Sequence, residues 1–170
     1  VLHPLSEVGR MTKERGVLWH CDAAQAAAKI DLDVEALGID LLSVSGHKLY
    51  APKGVGFLYV RSREPRVRLT TQIEGGGQER GLRAGTLNVP GIVAVGRACE
   101  LGREEMPVEA PSLLKMRQRL YEGLADRLGP LDINGDREAR LPGNLNLSFA
   151  GVDGGELLAG LREIALSSGA

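Results

Sequence analysis

Two short apolar runs, VLWHC at 17–21 and DLLSVS at 40–45, constrain this chain more than any other feature. A surface helix shows an apolar stripe every three to four residues; a short continuous run instead suits a strand covered on both faces. Both runs end on polar residues, Asp22 after the first and Gly46, His47 and Lys48 after the second. Between them lie the small-residue stretch AAQAAA and a short helix expected around 34–37. A Pro-Lys-Gly turn then leads into GVGFLYV at 54–60, a third strand. Upstream, Leu5, Val8 and Met11 fall at helical spacing within 4–15, and Gly16 stands where a helix C-cap would sit. Strand, helix and strand in this spacing predict an α/β layer whose strand ends can host a site.

The stretch TQIEGGGQERGLRAGTLN at 71–88 carries five glycines and four charged residues, too long a span for a plain turn. Loops of this size are functional or disordered. A helical pattern returns over 89–105, and Pro107 and Pro111 are expected to break it. That break divides the chain into residues 1–105 and 106–170. In the later part Leu113, Leu120, Leu124 and Leu128 share one helical face, NLNLSF at 144–149 alternates like a half-buried strand, and 156–164 closes with another helix. The tail is therefore expected to be α+β.

The 170 residues hold 21 Lys plus Arg against 22 Asp plus Glu, a formal charge of −1. That balance argues against a nucleic-acid footprint and against a polybasic membrane patch. No apolar run approaches the roughly 18 residues that span a bilayer, and VLHPLSEVGR has neither the basic start nor the apolar middle of a signal peptide. Cys21 and Cys99 stand far apart without a Cys-x-x-Cys or Cys/His cluster, so neither a disulfide framework nor a metal site is expected, and a cytoplasmic location fits. The chain has no initiator Met and stops at ALSSGA directly after an amphipathic segment, which reads as a piece of a longer polypeptide.

Lys48 lies just past a buried strand, where apolar walls can present its amine as a nucleophile able to form a Schiff base; the plainer reading is a surface lysine in a turn. Asp22, at the end of the neighbouring run, can pair with a cation such as the ring nitrogen of a pyridine cofactor, or can cap the segment that follows it. Together the two put complementary groups at one sheet edge. Ser45 and His47 can donate to a phosphate, and Gly46 permits close backbone approach. An amine, an anion for a pyridinium and phosphate donors are the parts of a pyridoxal-phosphate site.

The strings HCDAAQ (20–25), DLLSVSGHKLYAPKGVG (40–56), GGGQERGLRAGTLN (75–88) and NGD (134–136) resemble the cysteine desulfurases of the NifS and IscS type, within the class V group of pyridoxal-phosphate enzymes. The Gly-rich string is closer to the NifS/IscS branch than to its SufS-like cousins. The resemblance runs through the whole chain. It implies a fold type I architecture: the later part of a mainly parallel cofactor domain, then the start of a small α+β domain. It further implies that Lys48 binds the cofactor covalently and shuttles protons, that Asp22 pairs with the pyridinium nitrogen, and that Gln25 hydrogen-bonds the phenolic oxygen. Ser45, Gly46, His47 and the local backbone would hold the phosphate, and Thr86 would reach the phosphate bound in the other subunit of a homodimer.

The implied reaction removes sulfur from L-cysteine, leaving L-alanine and a persulfide for iron–sulfur scaffold proteins and other sulfur acceptors. It needs a thiolate on a mobile loop. In the family that cysteine closely follows a Ser-Ser-Gly-x-Ala-type string, and here the chain ends at Ser167, Ser168, Gly169 and Ala170. Cys21 precedes Asp22 in a strand, so alternation turns its side chain to the opposite face, and Cys99 falls in a helical run. Both read as structural. His3 and His20 do not match the family's ring-stacking histidine. The chain alone is therefore expected to lack desulfurase activity. Two rivals stand beside this reading: another class V aminotransferase or lyase, and a noncatalytic remnant that dimerises or docks a sulfur acceptor.

Overall fold

The computed structural model describes residues 1–168. Gly169 and Ala170, which end the Ser-Ser-Gly-Ala string, lie outside the described residues. Two compact units are present, one formed by Pro4–Glu109 and the other by Val1–His3 with the residues from Ala110 onward.

In the Pro4–Glu109 unit, helix α1 (Leu5–Glu14) precedes strands β1 (His20–Asp22), β2 (Leu41–Ser45) and β3 (Gly56–Val60), which form one sheet in the order β1-β2-β3. β1 runs parallel to β2, with His20 beside Leu41 and Asp22 beside Ser43. β3 returns antiparallel, with Val60 beside Leu41 and Gly56 beside Ser45. The expected α/β layer is present and its sheet is mixed. Residues 46–55 alone join β2 to β3, fewer than the dozen or so that a parallel crossover needs, so the third strand comes back beside the second.

Alternation along β2 sets the layers. Leu42 and Val44 are buried and join Ala23, Ile39 and Leu49 in the core, with Trp19, Cys21, Tyr59, Ala98 and Cys99 packed around them. Ser43 and Ser45 turn to the other face. β1 is shorter than its apolar run: Val17 and Leu18 are exposed, and pairing begins where the Trp19 carbonyl accepts the N–H groups of Asp40 and Leu41, both at 3.1 Å. The helix expected around 34–37 is a single turn, capped by Asp33 Oδ1 accepting from Glu35 (2.9 Å) and Ala36 (3.0 Å). Gly9 lets α1 press on this turn, since a Cβ there would strike the Leu37 carbonyl oxygen.

The start of β2 is tied down by a buried charge cluster. The Arg61 guanidinium reaches Asp40 Oδ1 at 3.2 Å and Glu35 Oε2 at 2.6 Å, and donates to the carbonyls of Val34 (3.0 Å) and Ile39 (2.9 Å). Asp40 Oδ2 accepts the Trp19 N–H at 2.9 Å. Both members of the inner pair are thus charged and hydrogen-bonded, the condition under which a buried ion pair is tolerated.

Helix α2 runs unbroken over Val89–Leu128, so Pro107 and Pro111 do not end it as their sequence positions predict. The two prolines are four residues apart on one helical face, and both are exposed. The carbonyls of Arg103 and Pro107, which lose their backbone donors, therefore face solvent, where water can replace the missing bonds. At 40 residues α2 is long, but among the described residues no helix is long and apolar enough to cross a membrane.

In the other unit, β4 (Asp132–Ile133) pairs antiparallel with β5 (Leu147–Ser148). The strand expected over 144–149 shrinks to those two residues because its partner is only two residues long. Helix α3 spans Gly154–Gly160 rather than 156–164; Asp153 Oδ1 caps it by accepting from Gly155 (2.9 Å) and Glu156 (3.0 Å). The NGD string forms a turn. Asp136 Oδ1 accepts from Ala139 (2.7 Å) and Glu138 (2.8 Å), and these backbone donors hold its carboxyl below the ordinary range.

Candidate functional site

β1 and β2 run parallel and adjacent, so their carboxyl ends open on the same edge of the sheet. The register carries Asp22 beside Ser43, and β2 extends two residues further to Ser45 before the chain turns into a 3-10 helix over Gly46–Leu49. Asp22, Ser43 and Ser45 share one face, because residues paired in a parallel ladder point the same way and alternate along each strand. Cys21, Leu42 and Val44 take the opposite, core face.

The 3-10 turn that bears His47 and Lys48 is fixed by backbone bonds. Gly46 N–H donates to the Val55 carbonyl at 2.9 Å, and the Gly46 carbonyl accepts from Ala51 at 3.1 Å and from Tyr50. Tyr50 closes the turn in a left-handed conformation, φ 65°. His47 is exposed and Lys48 half-buried. Among the described residues no hydrogen bond or ion pair occupies the Lys48 ammonium, so the turn presents this amine without consuming it.

Two predicted site residues also have structural tasks. Asp22 Oδ1 accepts the Ala24 N–H at 2.9 Å, which is the capping role open to it from sequence. The same exposed carboxylate has a second oxygen, so the cap leaves one oxygen open to a cation. Gly46 is expected to admit a ligand, but the space is taken from within: a Cβ there would lie 2.7 Å from the Val55 carbonyl oxygen and 3.3 Å from Val95 Cγ2. Its N–H is committed to Val55, so this residue serves packing. Gln25 lies exposed in the turn after β1.

The Gly-rich segment folds on itself. Thr71 Oγ1 donates to the Gly81 carbonyl at 3.0 Å, Ala84 N–H donates to the Ile73 carbonyl at 3.0 Å, and Gln78 Oε1 accepts the Gly85 N–H at 3.2 Å. Thr86 is exposed at the end of this loop, and among the described residues no hydrogen bond ties it to the Asp22–Lys48 edge. Asp22 and Ser45 thus end adjacent parallel strands, His47 and Lys48 follow Ser45 in the 3-10 turn, and Thr86 lies in the separate Gly-rich loop. Ser43 is the polar neighbour that motif reading misses; alternation from Ser45 was the available signal.

Neither thiol suits nucleophilic work. Burial, and then the adjacent Asp22 carboxylate, push the Cys21 thiol up; burial alone pushes Cys99 up. Both stay protonated near neutral pH, where the thiolate would be the reactive form. Among the described residues no group of three or more His, Cys, Asp or Glu gathers as a metal site.

The chain matches the family described as aminotransferase class-V over residues 1–170. It is 54% identical over 169 residues to cysteine desulfurase IscS of Anaeromyxobacter dehalogenans, a match that covers 99% of this chain and 42% of that protein. Among solved structures it is similar to a NifS-like protein from Rickettsia africae, at TM-score 0.86 and 31% identity, covering 98% of this chain and 46% of that one. It is also similar to SspA in complex with cysteine, at TM-score 0.75 and 36% identity, covering 98% of this chain and 45% of that one. The chain thus spans about two fifths of the length of the curated relative it matches.

Proposed function

Because the chain belongs to the aminotransferase class-V family, we propose that it forms the later cofactor domain and the start of the small domain of a pyridoxal-phosphate-dependent cysteine desulfurase. The observation that carries this reading is the parallel register that sets Asp22 beside Ser43, so that Asp22 and the Gly46–Leu49 turn bearing Lys48 open on the same strand-end edge. Adjacent strands lie roughly 4.8 Å apart, so an acid on one and an amine-bearing turn on the next can address a single small aromatic ring. The donor set fits the cofactor: a carboxylate for its ring nitrogen, an unengaged amine, and the Ser45 hydroxyl and His47 imidazole for its phosphate.

Bound there, pyridoxal phosphate supplies an electron sink that weakens bonds at the substrate carbon attached to nitrogen. Asp22 would present its second carboxylate oxygen to the ring nitrogen while Oδ1 holds the Ala24 N–H, which fixes the carboxylate's direction. Gln25 serves the phenolic oxygen. Lys48 would hold the cofactor and would take and return protons at the substrate carbon. Thr86 completes the phosphate site of a second copy of the chain, so the enzyme acts as a homodimer. The substrate is L-cysteine, a reading supported by the similarity to SspA in complex with cysteine. Sulfur then passes to acceptor or iron–sulfur scaffold proteins in the cytoplasm. Cys21 and Cys99 are poor carriers, since both pack against the core and burial pushes both thiols up.

Asp22→Asn tests the reading in the complete enzyme. Asparagine keeps an oxygen for the Ala24 cap but lacks the charge, so the thermal midpoint should stay close to wild type while turnover falls on the order of 10²-fold. Sulfide release at the wild-type rate from Asp22→Asn would remove Asp22 from the ring-nitrogen role.

A further inference from the structure

The Gly-rich loop holds an arrangement that neither its glycines nor its threonine explains. Arg83 Nη1 donates to two successive carbonyls, Gly85 at 3.2 Å and Thr86 at 3.4 Å. From the other side Gln78 Oε1 accepts the Gly85 N–H at 3.2 Å. One side chain thus grips the peptide oxygens around Thr86 and the other grips the amide just before it. Gly85 makes room for the grip: it sits at φ 106°, and a Cβ there would lie 3.3 Å from Arg83 Nη1.

The rest of the loop delivers these two side chains. Gln78 opens a 3-10 turn, Gln78–Gly81, whose Glu79 and Arg80 both adopt left-handed conformations at φ 48° and 58°. Such conformations are disfavoured for residues with a Cβ and persist where the surroundings over-determine them. Here the determinants are the Thr71 bond to Gly81 and the bridge between Ile73 and Arg83. The bridge fixes Arg83 in the backbone, so its guanidinium starts from a set position. Among the described residues that guanidinium forms no ion pair, and its bonds go to the Gly85 and Thr86 carbonyls.

We propose that Arg83 and Gln78 are positioning residues for Thr86: they lock the Gly85–Thr86 peptide so that the threonine is presented, preorganised, to the phosphate of a cofactor held by a second copy of the chain. The inference rests on the preceding reading of Thr86 and adds to it the two side chains through which the threonine acts. A loop that must be ordered before it can contact an anion loses affinity to that ordering, and a loop already clamped does not.

The test compares two ligands on the apo form of the complete homodimer: pyridoxal phosphate, and pyridoxal, which lacks the phosphate. Thr86→Val is expected to weaken pyridoxal phosphate roughly tenfold or more and to leave pyridoxal unchanged. Arg83→Ala should weaken pyridoxal phosphate about fivefold, again without effect on pyridoxal, and Arg83→Lys should restore it to within about twofold, because an ammonium can still donate to both carbonyls. The double variant Arg83→Ala/Thr86→Val should be no weaker than Thr86→Val alone, the mark of one residue acting through another. If Arg83→Ala weakens both ligands equally, weakens neither, or adds its loss to that of Thr86→Val, the positioning role is overturned while Thr86 keeps its own. If Thr86→Val itself leaves the preference for the phosphorylated ligand intact, the phosphate role of Thr86 falls and the positioning role falls with it.

Discussion

Replacing Lys48 with alanine should lower desulfuration by the complete enzyme about 10³-fold or more while leaving its fold intact. The size follows from the two tasks proposed for this one amine, holding the cofactor and moving a proton, each of which alone is worth orders of magnitude. The intact fold follows from how the turn is built. Gly46 donates to Val55 and accepts from Ala51 and Tyr50 through backbone atoms only, so truncating Lys48 removes none of these bonds. Sulfide release should therefore collapse with a thermal midpoint near that of wild type. A Lys48→Ala protein that turns over within tenfold of wild type would contradict the assignment, and one that fails to fold would contradict the account of the turn.

The largest stability effect is expected at Arg61, remote from the strand-end edge. Arg61→Met leaves Asp40 buried beside the start of β2 without its cation, and removing one partner of a buried pair costs about 3–5 kcal/mol. Glu35 is exposed and can turn to water, so most of the loss belongs to Asp40 and to the carbonyls of Val34 and Ile39 that lose their donors. Urea unfolding of Arg61→Met should show that loss. The double variant Arg61→Met/Asp40→Asn should recover part of it, because the uncompensated charge is gone. A loss below about 1 kcal/mol for Arg61→Met would mean that the cluster does not tie β2 to its neighbours as the distances indicate.

Strands β2 and β3 are legible from sequence because burial imprints on them directly: an apolar run with Leu42 and Val44 facing one way reads as a strand with bounds accurate to one or two residues. The placement of Asp22 and Ser45 is legible for a related reason, since residues that end adjacent parallel strands open on one edge, with Lys48 following in the turn after Ser45. Helix α2 was harder. A proline disfavours helix through a local loss, but whether that loss ends the helix depends on whether the freed carbonyls see water, which only the exposed setting of Pro107 and Pro111 reveals. β4 has two residues, too few for any period to register. The reason for Gly46 was hidden as well: its neighbours Val55 and Val95 come from the next strand's approach and from α2, contacts that no motif records. The grip of Gln78 and Arg83 on the Gly85–Thr86 peptide likewise depends on a folded loop.

Reductive fixation shows which lysine holds the cofactor. The complete protein is loaded with pyridoxal phosphate, treated with borohydride, digested, and mapped for the pyridoxyl group. One labelled peptide is expected, carrying the modification on Lys48, with labelling abolished in Lys48→Ala. A stable label on Lys53, Lys29 or any other lysine, with Lys48 unmodified, would contradict this assignment.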